Sequence, residues 1–210
     1  MKLYHVITGL EIGGAEMMLY KLLAEMNQDI FKNTVVSLTK DGPIGNKIKA
    51  LGIPVKTLNM NRQIPNPMAI FKLIRWIRRD RPDAMQTWMY HSDLIGGIAS
   101  KLAGGPPVAW SISNGNLDPD CTRVTTRWAA SVSARLSGWI PTRIVSVSEY
   151  SKNYHCDIGY DIEKMRVIPI GFDISIPPSR EESRSHLCKK LGIDQKSIVI
   201  GLVARWHAVK

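Results

Sequence analysis

Two adjacent glycines, Gly13 and Gly14, stand between an apolar run at 3–7 and a stretch from 15 to 26 whose apolar residues recur at helical spacing. Strand, glycine turn, helix is the pattern. It sets the free N–H groups and the positive dipole end of a helix beside backbone that carries no Cβ, which makes a seat for a phosphate. Glycine turns also end strands for structural reasons alone, and the local sequence leaves both readings open. His91, in the segment MYHSDLIG from Met89 to Gly96, is the second candidate. It follows a strand and precedes a helix, so it either meets a ligand or caps that helix with Ser92 and Asp93.

The elements that must position these residues alternate. Strands are expected at 2–8, 34–38, 55–58, 84–87, 108–112, 143–147 and 166–169, and helices at 15–26, 45–51, 67–79, 92–102, 126–137 and 150–156. Such alternation predicts an α/β fold: a Rossmann-like parallel sheet covered by helices on both faces. Ligands of such sheets lie beyond the carboxyl ends of the strands, so the loops at 9–14, 88–91, 113–120, 148–149 and 170–173 are the places to search. Beyond 174 the composition changes. Pro177 and Pro178 lead into a mixed-charge stretch with the character of a linker, then a helix at 184–191 stopped by Gly192, then a buried β-branched run at 197–203. The expected division is therefore an N-terminal domain at 1–174, a linker and helix at 175–192, and the opening of a second, incomplete domain at 193–210.

The chain has 210 residues and a net charge of +10, which points to an anionic partner or surface. Nucleic acid is disfavoured, because no zinc-finger spacing, aromatic RNP-like strand or basic low-complexity tail is present. A phosphorylated small molecule and an anionic membrane leaflet remain. Three scattered cysteines, Cys121, Cys156 and Cys188, suggest neither disulfides nor zinc, and the longest uncharged run, 102–117, is broken by glycine and proline. The expected location is the cytoplasm, with peripheral attachment to the inner face of the membrane. Two basic helices could supply that attachment: one carries Lys72, Arg75, Trp76 and Arg79, with Trp76 expected to be exposed, and the other carries Arg123, Arg127 and Arg135 beside a stripe of Val124, Trp128, Val132 and Leu136.

Four segments occur in order: GGAE, MYHSDLIG, VSVSEYSK (145–152) followed by VIPIGFD (167–173), and IGLVARWHAVK at the end. Together they resemble the family 4 retaining glycosyltransferases of the GT-B fold, with VIPIGFD similar to that family's VIPNG(I/F/V)D bridge and GLVARWHAVK similar to its (V/I)GR…KG opening of the donor lobe. The resemblance covers the whole chain and implies a two-lobed enzyme whose acceptor-side lobe this is. It implies that Gly13 and Gly14 lie against the donor diphosphate or the transferred sugar, and that Gly171 lies in the bridge between lobes. It also implies that Arg205 and Lys210 neutralise the departing diphosphate, in metal-independent catalysis that needs no cofactor. The resemblance further implies a nucleotide-sugar donor and a saccharide or lipid-linked acceptor, in cell-surface polysaccharide or glycolipid synthesis.

By the same resemblance His91 binds the transferred sugar or the acceptor, and Ser113 and Asn114 stand where relatives carry a histidine. Ser148 is expected to cap a helix, Ile170 replaces the usual asparagine, and the DxD of Asp118 and Asp120 is a loop coincidence rather than a metal site. Two rival readings stand beside this one. A nicotinamide enzyme lacks support, since there is no GxGxxG and no acid ends the second strand. The other is a non-catalytic acceptor- or nucleotide-binding Rossmann-like domain, and this fragment alone is expected to be inactive.

Overall fold

The computed structural model describes residues 1–61, 67–171 and 179–201. The strands are β1 (Lys2–Ile7), β2 (Lys32–Ser37), β3 (Val55–Thr57), β4 (Ala84–Trp88), β5 (Val108–Ile112), β6 (Arg143–Ser146) and β7 (Met165–Val167). The helices are α1 (Gly14–Glu25), α2 (Pro43–Ala50), α3 (Pro67–Asp80), α4 (Tyr90–Ala103), α5 (Val124–Leu136), α6 (Glu149–Asp157) and α7 (Arg180–Leu191). All seven strands form one sheet in the order β3-β2-β1-β4-β5-β6-β7, and every neighbouring pair is parallel. The expected Rossmann-like sheet is present.

From β1 the chain winds outward through β2 and β3, then returns past β1 and winds the other way from β4. Right-handed crossovers in opposite directions put their helices on opposite faces. One core joins Ile7, Val35 and Trp88 to Leu19 and Leu23 of α1 and to Ile44 and Ile48 of α2. The other joins Val6, Val36, Met85, Trp110 and Ile144 to α3, α4 and α5 through Leu73, Ile77, Leu94, Ala130 and Ala134. Adjacent residues of one strand, such as Val35 and Val36, feed different cores because side chains alternate across a sheet.

Helix α4 packs tightly through two glycines. A Cβ on Gly96 would lie 2.8 Å from Thr87 Cγ2, and one on Gly97 only 2.5 Å from Ile140 Cγ2. The missing side chains bring its first turn down onto the end of β4. In α5 the buried stripe is Ala129, Ala130, Ser133 and Ala134, while of the stripe noted in the sequence Val124 is 78% and Trp128 64% exposed and Val132 and Leu136 are partly buried against the core. Small residues let α5 lie flat against α4, and the larger ones turn outward. Trp76 departs from expectation in the opposite sense. It is half-buried against the core with Lys56 Nζ 5.4 Å and Lys72 Nζ 4.8 Å from its ring centroid.

The chain divides into two compact units, 1–170 and 171–210. In the second, α7 begins with a capping box, in which Glu182 N donates to Ser179 Oγ at 3.2 Å and Ser179 N to Glu182 Oε2 at 3.1 Å. The helix therefore starts at Arg180, inside the segment read as linker, and ends at Gly192 with φ 67°. Residues 197–201 form no strand, and Ile198 and Ile200 are 91% and 93% exposed. The reason is physical: a strand needs a hydrogen-bonding neighbour, and among the described residues of this unit there is none.

One glycine contact near the carboxyl edge is tight enough to test. A Cβ on Gly42 would lie 2.4 Å from Leu10 O, the same carbonyl that accepts from Ile44 N at 3.1 Å. Gly42→Ala should cost about 1–3 kcal/mol in urea unfolding, because backbone has to move. Gly14→Ala, whose Cβ would meet nothing within 4 Å, should cost nothing measurable. Equal losses would contradict this packing.

Candidate active site

The sheet reverses its winding between β1 and β4. Loops leaving two neighbouring strands there diverge to opposite faces, which opens a crevice at the carboxyl edge. Ile7 at the end of β1 pairs in register with Trp88 at the end of β4. The glycine loop leaves the first strand and the segment bearing His91 leaves the second, so both candidates follow neighbouring strand ends at the carboxyl edge. The two segments are tied at their bases, where Thr8 Oγ1 and Ser92 Oγ lie 3.0 Å apart. Thr39 joins from the next loop, its hydroxyl donating to Thr8 O at 2.9 Å.

Neither glycine of the loop uses backbone reserved for glycine. Gly13 is the N-cap of α1 at φ −161°, an extended conformation open to any residue. Its bareness serves another group, since a Cβ there would fall 2.2 Å from Glu16 Oε2. The glutamate carboxylate thus folds back over the start of α1, where the helix dipole favours negative charge. Gly14 is exposed beside it.

His91 lies in the first turn of α4 and does not cap it. The N-cap is Met89, with φ 74° and ψ 149° and no side-chain cap bond, while Ser92 N and Asp93 N each donate to Met89 O at 3.0 Å. A non-glycine residue in that region is strained, and such strain persists only where surrounding structure holds it. The holding groups are visible. Tyr90, Ser92 and Asp93 are all buried, Thr87 Oγ1 hydrogen-bonds Asp93 Oδ1 at 2.5 Å, and Tyr90 Oη meets His155. His91 alone among these four is half-buried, its side chain has no hydrogen bond among the described residues, and burial lowers the pKa of its imidazole below the ordinary value. At neutral pH it offers one N–H donor and one nitrogen acceptor, a pair suited to hydroxyl groups.

Ser113 and Asn114 follow β5, the next strand along, half-buried and exposed respectively. Ser148 caps α6, its hydroxyl accepting from Ser151 N at 3.1 Å. Asp118 and Asp120 form a local turn, with Asp120 N donating to Asp118 Oδ1 at 2.9 Å, and no group of three or more metal-ligating side chains occurs among the described residues. Gly171 is exposed at the start of the second unit and avoids the left-handed region. Arg205 and Lys210 lie outside the described residues.

The model for Glycosyltransferase Family 4 matches residues 12–176, from the glycine loop through β7. The chain belongs to glycosyltransferase family 4. Among solved structures, Anabaena HepE in complex with UDP-glucose matches this family 4 domain with TM-score 0.69 and 22% identity, over 91% of this chain and 50% of that one. The apo form of the lipopolysaccharide outer core galactosyltransferase WaaB gives 0.61 and 14%, over 86% and 50%. UDP-N-acetylglucosamine 2-epimerase from Rickettsia bellii gives 0.55 and 13%, over 92% and 51%. At these identities the likeness is one of fold, that of the N-terminal lobe of GT-B enzymes, and the chain spans about half the length of each. No curated protein matches it.

No local pattern in the sequence singles out Thr8, Tyr90 or His155, and Asp93 enters there only as a capping partner. Asp93 had a signal: with Gly96, Gly97 and Ser100 it marks the spacing of a buried helical stripe that contains a carboxylate. Asp93 is fully buried, and that burial pushes its pKa well above the usual carboxylate range. The folded protein then keeps a proton that the unfolded chain releases above about pH 4, so this group lowers stability as pH rises. Asp93→Asn, which keeps an acceptor for Thr87, should therefore raise the melting temperature at pH 7, with the gain shrinking toward pH 4. A melting temperature lowered at pH 7 would mean that the folded carboxylate is ionised.

Proposed function

We propose that the complete protein transfers a sugar from a nucleotide-sugar donor to a saccharide or lipid-linked acceptor, with retention of configuration, in cell-surface polysaccharide or glycolipid synthesis. The observation that carries this reading is that the glycine loop and the His91 segment leave neighbouring strands at the reversal of the sheet in a family 4 domain. The UDP-glucose present with Anabaena HepE supports a nucleotide-sugar as the donor class.

The chemistry asks for two things. Negative charge builds on the departing diphosphate and needs cations or N–H donors held in place, a role we assign to Arg205 and Lys210 in place of a metal. The hydroxyls of the sugar or acceptor need neutral partners of fixed direction. We assign that role to His91, on the strained turn after β4, and to Ser113 and Asn114, after β5, and we assign Gly13, Gly14 and Gly171 to the donor side. No protein nucleophile is assigned.

Attachment to the anionic cytoplasmic leaflet fits the surface chemistry. Arg123 and Arg127 flank exposed Val124 and Trp128 on α5, with Arg135 further along, and α3 exposes Phe71 beside Lys72 and Arg75. Arg79 contributes less, being paired to Asp80 at 2.6 Å. No helix among the described residues is long and apolar enough to cross a membrane, and the attachment we propose is a peripheral one through these exposed side chains. Flotation on vesicles with anionic lipid, absent with neutral vesicles and weakened by Trp128→Ala, is the expected result; equal flotation on both would remove this part.

The function is tested by incubating the full-length protein with a panel of UDP- and GDP-sugars and saccharide acceptors. Transfer is expected from at least one donor, with His91→Ala reducing kcat/KM by about 100-fold or more at an unchanged melting temperature. Binding of acceptor without transfer from any donor would replace this reading with a non-catalytic binding domain.

A further inference from the structure

His155 is fully buried in α6, far in sequence from the residues it joins. Its Nδ1 lies 2.6 Å from Ser151 O, and a carbonyl oxygen can only accept, so Nδ1 carries the proton. Its Nε2 is then an acceptor, and the Tyr90 hydroxyl, 2.7 Å away, donates to it. One turn earlier the Ser151 hydroxyl donates to Asn114 O at 2.6 Å. Three tyrosine rings hold the imidazole. Tyr90 stacks at 5.8 Å and 22°, while Tyr154 and Tyr160 meet it edge-on at 5.4 and 5.2 Å. One imidazole and one helical turn thereby connect the first residue of α4, next to His91, with the loop that carries Ser113 and Asn114.

We propose that His155 is a positioning residue for acceptor binding: through Tyr90 on one side and Ser151 on the other, it sets the separation between His91 and the Asn114 loop. The proposal rests on the reading that these two segments bind the acceptor. A side chain chosen only to fill the core would need no polar atoms here. His155 has both ring nitrogens matched, one donating and one accepting, and the partners lie on segments that follow three successive strands.

The test uses Tyr90→Phe, which keeps the stacked ring and deletes the hydroxyl, and Ser151→Ala, which deletes the bond to Asn114, both in the full-length protein. Each should raise the acceptor KM by about tenfold while kcat and donor KM stay within about twofold, and the double variant should exceed the worse single by little. A merely structural role would lower the melting temperature and leave that split unmoved. Nitrogen-detected NMR of the imidazoles should show one buried histidine as the Nδ1–H form, with its Nε2 resonance moved in Tyr90→Phe. An unchanged acceptor KM in both variants, or the Nε2–H form at His155, overturns the proposal. Should the wild type transfer no sugar, the functional reading fails by itself; the amide signals of Ser113 and Asn114 then decide the coupling, for it if they shift in Tyr90→Phe and against it if they do not.

Discussion

Everything at the carboxyl edge depends on the reversal of winding between β1 and β4. A right-handed crossover can only place its helix on one face, so a chain that changes direction must send α1 and α4 to opposite faces. The two strands stay hydrogen-bonded while their following loops part. The opening between them is a consequence of chirality and needs no special side chain. Residues are needed to keep its walls in register, and the pairing of Thr8 with Ser92 does that across the gap.

The wall built by α4 is held at a cost to stability. Its N-cap is a methionine in a backbone region suited to glycine, and its first turn buries a carboxyl group and a tyrosine hydroxyl. A helix selected for stability alone would start with serine or aspartate at the cap and alanine or leucine inside. Here the polar groups are matched pairwise, Asp93 with Thr87 and Tyr90 with His155, so burial fixes their directions. The neighbours of His91 are held in place, while the His91 imidazole is half-buried and has no hydrogen bond among the described residues. Strain and buried polarity so close to one imidazole are the expected marks of a site whose geometry outranks its contribution to folding.

The glycine loop follows a different logic. Neither Gly13 nor Gly14 adopts a left-handed conformation, so conformational freedom does not explain them. Gly13 is bare because the Glu16 carboxylate lies against it, and Gly42 is bare because it abuts Leu10 O. Close approach, rather than turning, is what these glycines permit. The helices behave similarly: Gly96 and Gly97 let α4 descend onto the sheet, and the alanines of α5 let it lie against α4, which pushes Trp128 outward among arginines.

Alternation of β-branched runs with helical spacing was enough to determine the class of fold, nearly every element, and the edge of the sheet to search, because these follow from local periodicity and from the chirality of crossovers. Ordered short motifs were enough to reach the family, since they record the loops that follow particular strands. Tertiary structure alone decided which residues share a neighbourhood. The pairings of Tyr90 with His155, Thr8 with Ser92 and Ser151 with Asn114 span 65, 84 and 37 positions, and no local pattern reports them. It also decided which face of α5 is wet, that Trp76 is half-buried, and that residues 197–201 form no strand despite their composition. Periodicity says how a segment can be buried, whereas the partner that buries it, or its lack, belongs to the assembled chain.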